Sequence, residues 1–87
     1  MINKLIENYI NTMTIDDVNK FAINNNVNLS NDELTIIYST IKNNWYDLIY
    51  GNYSSIFNEL KNKISPSTYK KAEELFFYFK NKYQRFL

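Results

Sequence analysis

Ser65-Pro66-Ser67-Thr68-Tyr69-Lys70-Lys71-Ala72-Glu73-Glu74-Leu75-Phe76-Phe77-Tyr78-Phe79-Lys80 is the stretch on which the reading of the fold turns. Proline is pre-set for the first turn of a helix, where its missing N–H is not needed, and the serine before it offers a hydroxyl to cap that turn. From there Tyr69, Ala72, Leu75, Phe76, Phe79, Tyr83 and Phe86 recur at spacings of three and four, the period of one helical face. The spacing predicts a helix over 66–84, long enough to serve as the spine of a bundle.

Working back along the chain, Asn52 can cap a helix over 53–63 that turns Tyr53, Ile56, Phe57, Leu60 and Ile64 inward and leaves Lys61, Asn62 and Lys63 outside. Ser30-Asn31-Asp32-Glu33 has the S-x-x-E form of a capping box, with Leu29 at the staple position before it. It opens a helix over 31–43 that buries Leu34, Ile37, Tyr38 and Ile41. Thr14, followed by Asp16 and Asp17 in the first turn, opens a short helix over 15–24 with Ile15, Val18, Phe21 and Ala22 inward. Ile2, Leu5, Ile6, Tyr9, Ile10 and Met13 line one face of a helix over 2–12. The stretch 45–51, closed by Gly51, reads either as a loop tucked onto the core or as a continuation of the third helix. The expectation is an all-α chain: a compact bundle of about five short helices, one domain over 1–87.

Composition points the same way. One glycine and one proline in 87 residues leave almost no material for the tight turns that a β-sandwich or barrel needs at each strand junction. With 45% hydrophobic and 17% aromatic residues, disorder is not expected, and the large side chains suit a chain that buries only about 60–65% of its unfolded surface. Fifteen asparagines, together with abundant Lys, Ile and Tyr, read as the nucleotide bias of an AT-rich genome, so individual asparagines carry little weight. The run from Met1 to Glu7 lacks the apolar core of a signal peptide, and no segment approaches the roughly 18 apolar residues of a membrane span. A cytoplasmic protein without a membrane partner is expected.

The order of these residues resembles a family of short uncharacterised bacterial proteins classed as a domain of unknown function. The resemblance rests on the stretch from Ile10 to Asp17, on Val27-Asn28-Leu29-Ser30 before the third helix, and most on Ile64-Ser65-Pro66-Ser67-Thr68 leading to Glu74-Leu75-Phe76 and Phe79. The chain departs from the family pattern in the middle, where Lys42-Asn43-Asn44-Trp45 stands in place of a glycine-containing sequence. These motifs are caps and core positions, so the resemblance implies a shared helical fold and no activity.

Catalytic chemistry has little to work with. The chain has no cysteine and no histidine, which removes thiolate nucleophiles, the commonest metal ligand and the commonest general base. The paired acids Asp16-Asp17 and Glu73-Glu74 point about 100° apart on their helices and do not converge on one atom. Ser30 and Ser65 are caps without a base beside them, and one glycine cannot build a phosphate-binding loop. The expectation is a protein that is not an enzyme and uses no cofactor or metal.

Two surfaces remain. Phe77 lies nearly opposite the centre of the row formed by Leu75, Phe79 and Tyr83, and Ile36 stands in a similar relation to Leu34, Ile37, Tyr38 and Ile41. Each reads as a lone exposed side chain, as a residue covered by the 45–50 stretch, or as part of an interface; with Trp45 they are the candidate contact residues for a protein partner or a second copy. The second surface is electrostatic. Residues 1–50 carry three lysines and six acids, net −3, and residues 51–87 carry seven bases and three acids, net +4. Lys70, Lys71, Lys80, Lys82 and Arg85, interleaved with aromatics, are the candidate nucleic-acid contacts. DNA reading by the second and third helices is opposed by Asp32 and Glu33 at the start of the latter, since duplex affinity comes from neutralising phosphates. The expected function is a cytoplasmic helical module acting through protein contacts, as adaptor or homodimer, with a nucleic-acid-associated role as the alternative.

Overall fold

The computed structural model describes residues 2–83, and among them five helices are joined by short connectors: α1 (Ile2–Thr12), α2 (Ile15–Asn24), α3 (Asn31–Tyr50), α4 (Tyr53–Lys61) and α5 (Pro66–Tyr83). No strand is present among the described residues. The Cα radius of gyration is 12.5 Å, against about 12 Å for a compact chain of this length.

The helix starts follow the local chemistry. Thr14 Oγ1 accepts from Asp17 N at 3.1 Å while Thr14 N donates to Asp17 Oδ2 at 2.9 Å, a reciprocal capping box. Ser30 and Glu33 repeat it on α3, with Glu33 N donating to Ser30 Oγ at 3.1 Å. Asn52 Oδ1 accepts from Ser55 N, and Ser65 Oγ accepts from Thr68 N at 3.3 Å. The stops are equally specific. After α2, Asn26 adopts φ 63°, the left-handed conformation that ends many helices and that asparagine tolerates best after glycine. Val27 N then donates to Ala22 O at 2.8 Å and Asn26 N to Ile23 O at 3.0 Å, the paired bonds of a Schellman motif, and Val27 is buried with Ala22. One asparagine of the 24–26 run therefore has a conformational role that composition alone does not credit.

The 45–50 stretch is helix, not loop. The segment predicted to end at 43 is broken at Asn44 (φ −132°, ψ 15°) and resumes to Tyr50. The cause is local: the Asn44 side-chain amide donates to Thr40 O at 3.0 Å, competing for the carbonyl that the helical ladder would use. Nothing in 45–50 forbids helix, so it continues until Gly51, whose N–H donates to Asp47 O at 3.0 Å. A Cβ at Gly51 would lie 2.7 Å from Asp47 Oδ1 and 3.0 Å from Asp47 Cα, so a side chain here would have to displace Asp47.

Two apolar clusters sit along α3. Ile10, Met13 and Val18, from α1, α2 and their junction, pack with Ile6, Leu34, Ile37, Tyr38, Ile41 and Trp45. Leu48, Phe57, Leu60 and Ile64 pack with Ile36, Ile37, Tyr53, Ile56, Tyr69 and Phe76. Ile37 touches both. The break at Asn44 lets the second segment of α3 serve both clusters, with Trp45 on the first and Leu48 in the second. No side chain among the described residues falls below 2% exposure, so both clusters are thin.

On three helices part of the apolar row predicted inward stays open. On α5, Tyr69, Phe76 and Phe77 meet α4 through ring contacts with Phe57 and Tyr53, while Phe79, expected inward, is 47% exposed. On α1, Ile10 is buried but Leu5 and Tyr9 are each 66% exposed. On α2, Val18 and Ala22 are buried but Ile15 and Phe21 are exposed. In each case the apolar stripe is wider than the packing that covers it.

Candidate functional site: anchored helix ends and open faces

The candidate contact residues do not form one surface. Phe77 is half-buried, with its ring 5.5 Å from that of Tyr53 at 86° and 5.3 Å from that of Phe76. It is covered by α4, an arrangement outside the three readings above. Ile36 is half-buried against the Leu48, Phe57, Leu60 and Ile64 cluster. Trp45 is half-buried against the other cluster and edge-on to Tyr46 at 5.6 Å. Ile36 and Trp45 are edges of two different clusters, and Phe77 lies against the rings of Tyr53 and Phe76.

The basic residues also separate. At about 100° per residue, Lys71 and Lys82 fall on one side of α5, Lys70 about 100° from Lys71, and Lys80 on the opposite side from Lys82. Lys80 is half-buried, with Nζ 4.4 Å from the Tyr53 ring centroid and 5.7 Å from that of Phe76. It is held by a cation–π contact within the bundle. Lys82 Nζ lies 5.8 Å from the Tyr78 ring, and Lys70 and Lys71 are exposed. Arg85 lies outside the described residues.

Two polar anchors are present that spacing alone does not reveal. The first is Glu33. Besides its local bond to Ser30 N, Oε2 accepts from Ser65 N at 2.9 Å and Oε1 accepts from the Thr68 hydroxyl at 3.2 Å. One carboxylate thus joins the N-termini of α3 and α5, where the positive ends of both helix dipoles favour a negative charge. These bonds, Ser65 N–H first, hold the Glu33 carboxyl below its ordinary value of 4.5 against a desolvation effect of opposite sign. Thr68 is the one polar side chain buried among the described residues, and its hydroxyl is fully engaged by Glu33 and Ser65. The second anchor is Lys42, whose Nζ donates to Ile10 O at 2.6 Å and Asn11 O at 3.1 Å. A cation on the last carbonyls of α1 caps its negative end from a different helix. Tyr38 Oη adds a bond to Met13 O at 3.4 Å.

Concave sites are slight. A cleft of about 150 Å³ lies between α3 and α4 beside the break, lined by Ser39, Thr40, Asn43, Asn44, Glu59 and Lys63 among others. A second of about 100 Å³ lies between α4 and α5 near Tyr53, Tyr69 and Glu73. Tyr69 Oη donates to Glu73 Oε2 at 3.2 Å, and partial burial and that carboxylate raise the phenol above its ordinary value. Among the described residues no group of three or more acidic, histidine or cysteine side chains could hold a metal ion. No helix among them is long and apolar enough to cross a membrane.

What the molecule does present is apolar surface. Leu5, Tyr9, Ile15, Phe21, Ile23, Tyr46, Tyr78 and Phe79 are all at least 40% exposed. Helical periodicity identifies Leu5, Tyr9, Ile15 and Phe21 as apolar-stripe positions; that they stay open depends on how far α3 reaches around α1 and α2, which periodicity does not encode.

A family described as protein of unknown function (DUF2624) has a sequence model that matches residues 1–80 of this chain. No curated protein and no solved structure matches it.

Proposed function

From the premise that the chain belongs to the DUF2624 family, whose function is unknown, we propose that it is a non-enzymatic cytoplasmic helical module that acts through protein–protein contacts. The observation that carries this reading is the set of eight large apolar side chains at least 40% exposed on so small a bundle, the kind of side chain that a protein partner covers. The chemistry agrees with it: the carboxylates with shifted acidity, Asp17 and Glu33, are occupied by helix N-termini. Of the described basic side chains proposed for nucleic acid, Lys80 is engaged with Tyr53, which weakens the alternative.

The test is affinity capture of the tagged chain from its native cells, with half the lysate treated with nuclease beforehand. A defined protein retained after nuclease is the expected result. Recovery of RNA or DNA with associated proteins, all lost after nuclease, overturns the reading in favour of Lys70 and Lys71.

A further inference from the structure

The cleft of about 100 Å³ between α4 and α5 is lined mainly by aromatic rings: Tyr53 and Phe57 from α4, Tyr69 and Phe77 from α5. Their spacing in the chain puts them there. Tyr53 and Phe57 are four residues apart, and Tyr69, Glu73 and Phe77 recur at the same interval, so each set stands along one face of its helix. The rings meet at steep angles, Tyr53 with Phe77 at 86° and 5.5 Å, Phe57 with Tyr69 at 75° and 6.0 Å. Rings near right angles form corners rather than a closed stack, which leaves the cleft open between two helices so rich in aromatics.

The one charge in the lining is the carboxylate of Glu73, half-buried on α5. Tyr69 Oη donates to its Oε2 at 3.2 Å. Partial burial and that carboxylate raise the phenol, which stays a neutral donor. Among the described residues no cation forms an ion pair with Glu73.

The negative faces of aromatic rings beside an unpaired carboxylate favour an organic cation. The bundle's own lysines already use these rings in this way. Lys80 Nζ lies 4.4 Å from the Tyr53 ring centroid and Lys61 Nζ 5.9 Å from that of Tyr69, although neither lysine lines the cleft. A primary ammonium or a metal ion would have to give up strongly held water for a lining whose other polar side chains are only Ser54 and Asn58. A methylated ammonium holds water weakly and presents methyl groups to the rings. The volume is at most a third of the roughly 300–1,000 Å³ that encloses a drug-sized ligand, so the cleft takes a head group and leaves the rest of the molecule in solvent. None of the large apolar side chains most exposed on the surface lines it, so nothing at its mouth would insert beside a lipid head group.

We propose that the cleft between α4 and α5 binds the quaternary ammonium head of a small soluble molecule, with the four rings around its methyl groups and Glu73 balancing its charge. This site is separate from the apolar surface that carries the protein-contact reading, so either can fail without the other.

Titration of the full chain with choline at constant ionic strength, followed by the aromatic proton resonances, tests it. Saturable shifts are expected at Tyr53, Phe57, Tyr69 and Phe77 with a dissociation constant of about 1 mM, a value open to a ligand of so few atoms. Dimethylbutanol, in which carbon replaces the charged nitrogen, should bind about tenfold more weakly, because it fills the cleft but offers the rings no charge. Glu73→Gln should weaken choline about fivefold, and Lys61→Met should strengthen it about twofold by removing a competing cation. Tyr53→Leu keeps apolar bulk but removes a ring face, with about a fivefold loss. Far-UV circular dichroism checks that each variant keeps its helices. The absence of saturable shifts up to about 50 mM choline, equal affinity for choline and dimethylbutanol, or unchanged affinity in folded Glu73→Gln and Tyr53→Leu overturns the inference. Cosedimentation of the chain with phosphatidylcholine vesicles overturns it as well, by assigning the head group to a lipid.

Discussion

Replacing Glu33 by alanine is expected to loosen the start of α5 although the two elements are more than thirty residues apart in sequence. The substitution deletes the acceptor for Ser65 N at 2.9 Å, for the Thr68 hydroxyl at 3.2 Å and, at the limit of hydrogen bonding, for Ser30 N at 3.5 Å. A bond to a charged group contributes about 1.5–3 kcal/mol when sheltered and less when water can replace it. Ser65 and Ser30 are exposed, so water recovers part of the loss there, whereas the Thr68 hydroxyl is buried and cannot be rescued in this way. The sum is about 2–3 kcal/mol, or a fall in Tm of about 10–20 °C for a domain of this size. Thermal unfolding followed by circular dichroism measures it. Glu33→Gln retains one carbonyl oxygen and should fall about midway. The pH dependence has a fixed sign: because folding holds the carboxyl below its ordinary 4.5, its stabilisation is complete above that value and is lost as pH falls through the lower folded-state value. Wild type should therefore lose stability relative to Glu33→Gln on acidification, and the difference isolates Glu33 from Asp17, which titrates in the same direction. A Tm for Glu33→Ala within about 3 °C of wild type, less than 1 kcal/mol on this scale, would refute the idea that this carboxylate ties α3 to α5.

Two further perturbations address the other anchors. Lys42→Met keeps the aliphatic stem but removes the cation from the carbonyls of Ile10 and Asn11; it should cost about 1–2 kcal/mol and speed amide hydrogen exchange in α1 while α4 and α5 keep their protection. Asn26→Gly should raise the urea midpoint by the equivalent of about 0.5 kcal/mol, and Asn26→Ala should lower it by about 1 kcal/mol, because only the latter strains a residue held at φ 63°.

The parts of this fold legible in sequence are those decided within four residues. Thr14, Ser30, Asn52 and Ser65 announce their helices because cap and first turn lie side by side in the chain. The end of regular helix near Asn43 was legible too, but not the resumption beyond it, since helix and loop are equally compatible with the apolar run at 45–50. The face that α5 turns to α4 was hidden for a related reason. Seven consecutive positions, Ala72 to Tyr78, offer both a Leu75-centred and a Phe76-centred face, and the choice is made by Phe57 and Tyr53 on another helix. Glu33 reads as half of a capping box and is one, yet its second oxygen serves a partner 32 residues away. Of the candidate surfaces, periodicity could name apolar and basic residues but could not tell that Phe77, Ile36 and Lys80 have neighbours while Leu5 and Tyr9 do not have enough.

The position of Ile37 in both apolar clusters, on a helix that itself runs the length of both, also bears on how the gene can be divided. A cut at the Asn44 break would leave fragments of 44 and 43 residues by number, each with one thin cluster and only part of α3, close to the size of about 40 residues below which chains rarely fold without a metal, a disulfide or a partner. The fragments hold complementary pieces of the same axle: the first keeps Ile37, and the second keeps Leu48, Phe57, Leu60 and Ile64, which pack against it. Co-expressed, each offers the other the surface it lacks, so the break that looks like a weak point in the helix is also the place where division and reassembly are expected to cost least.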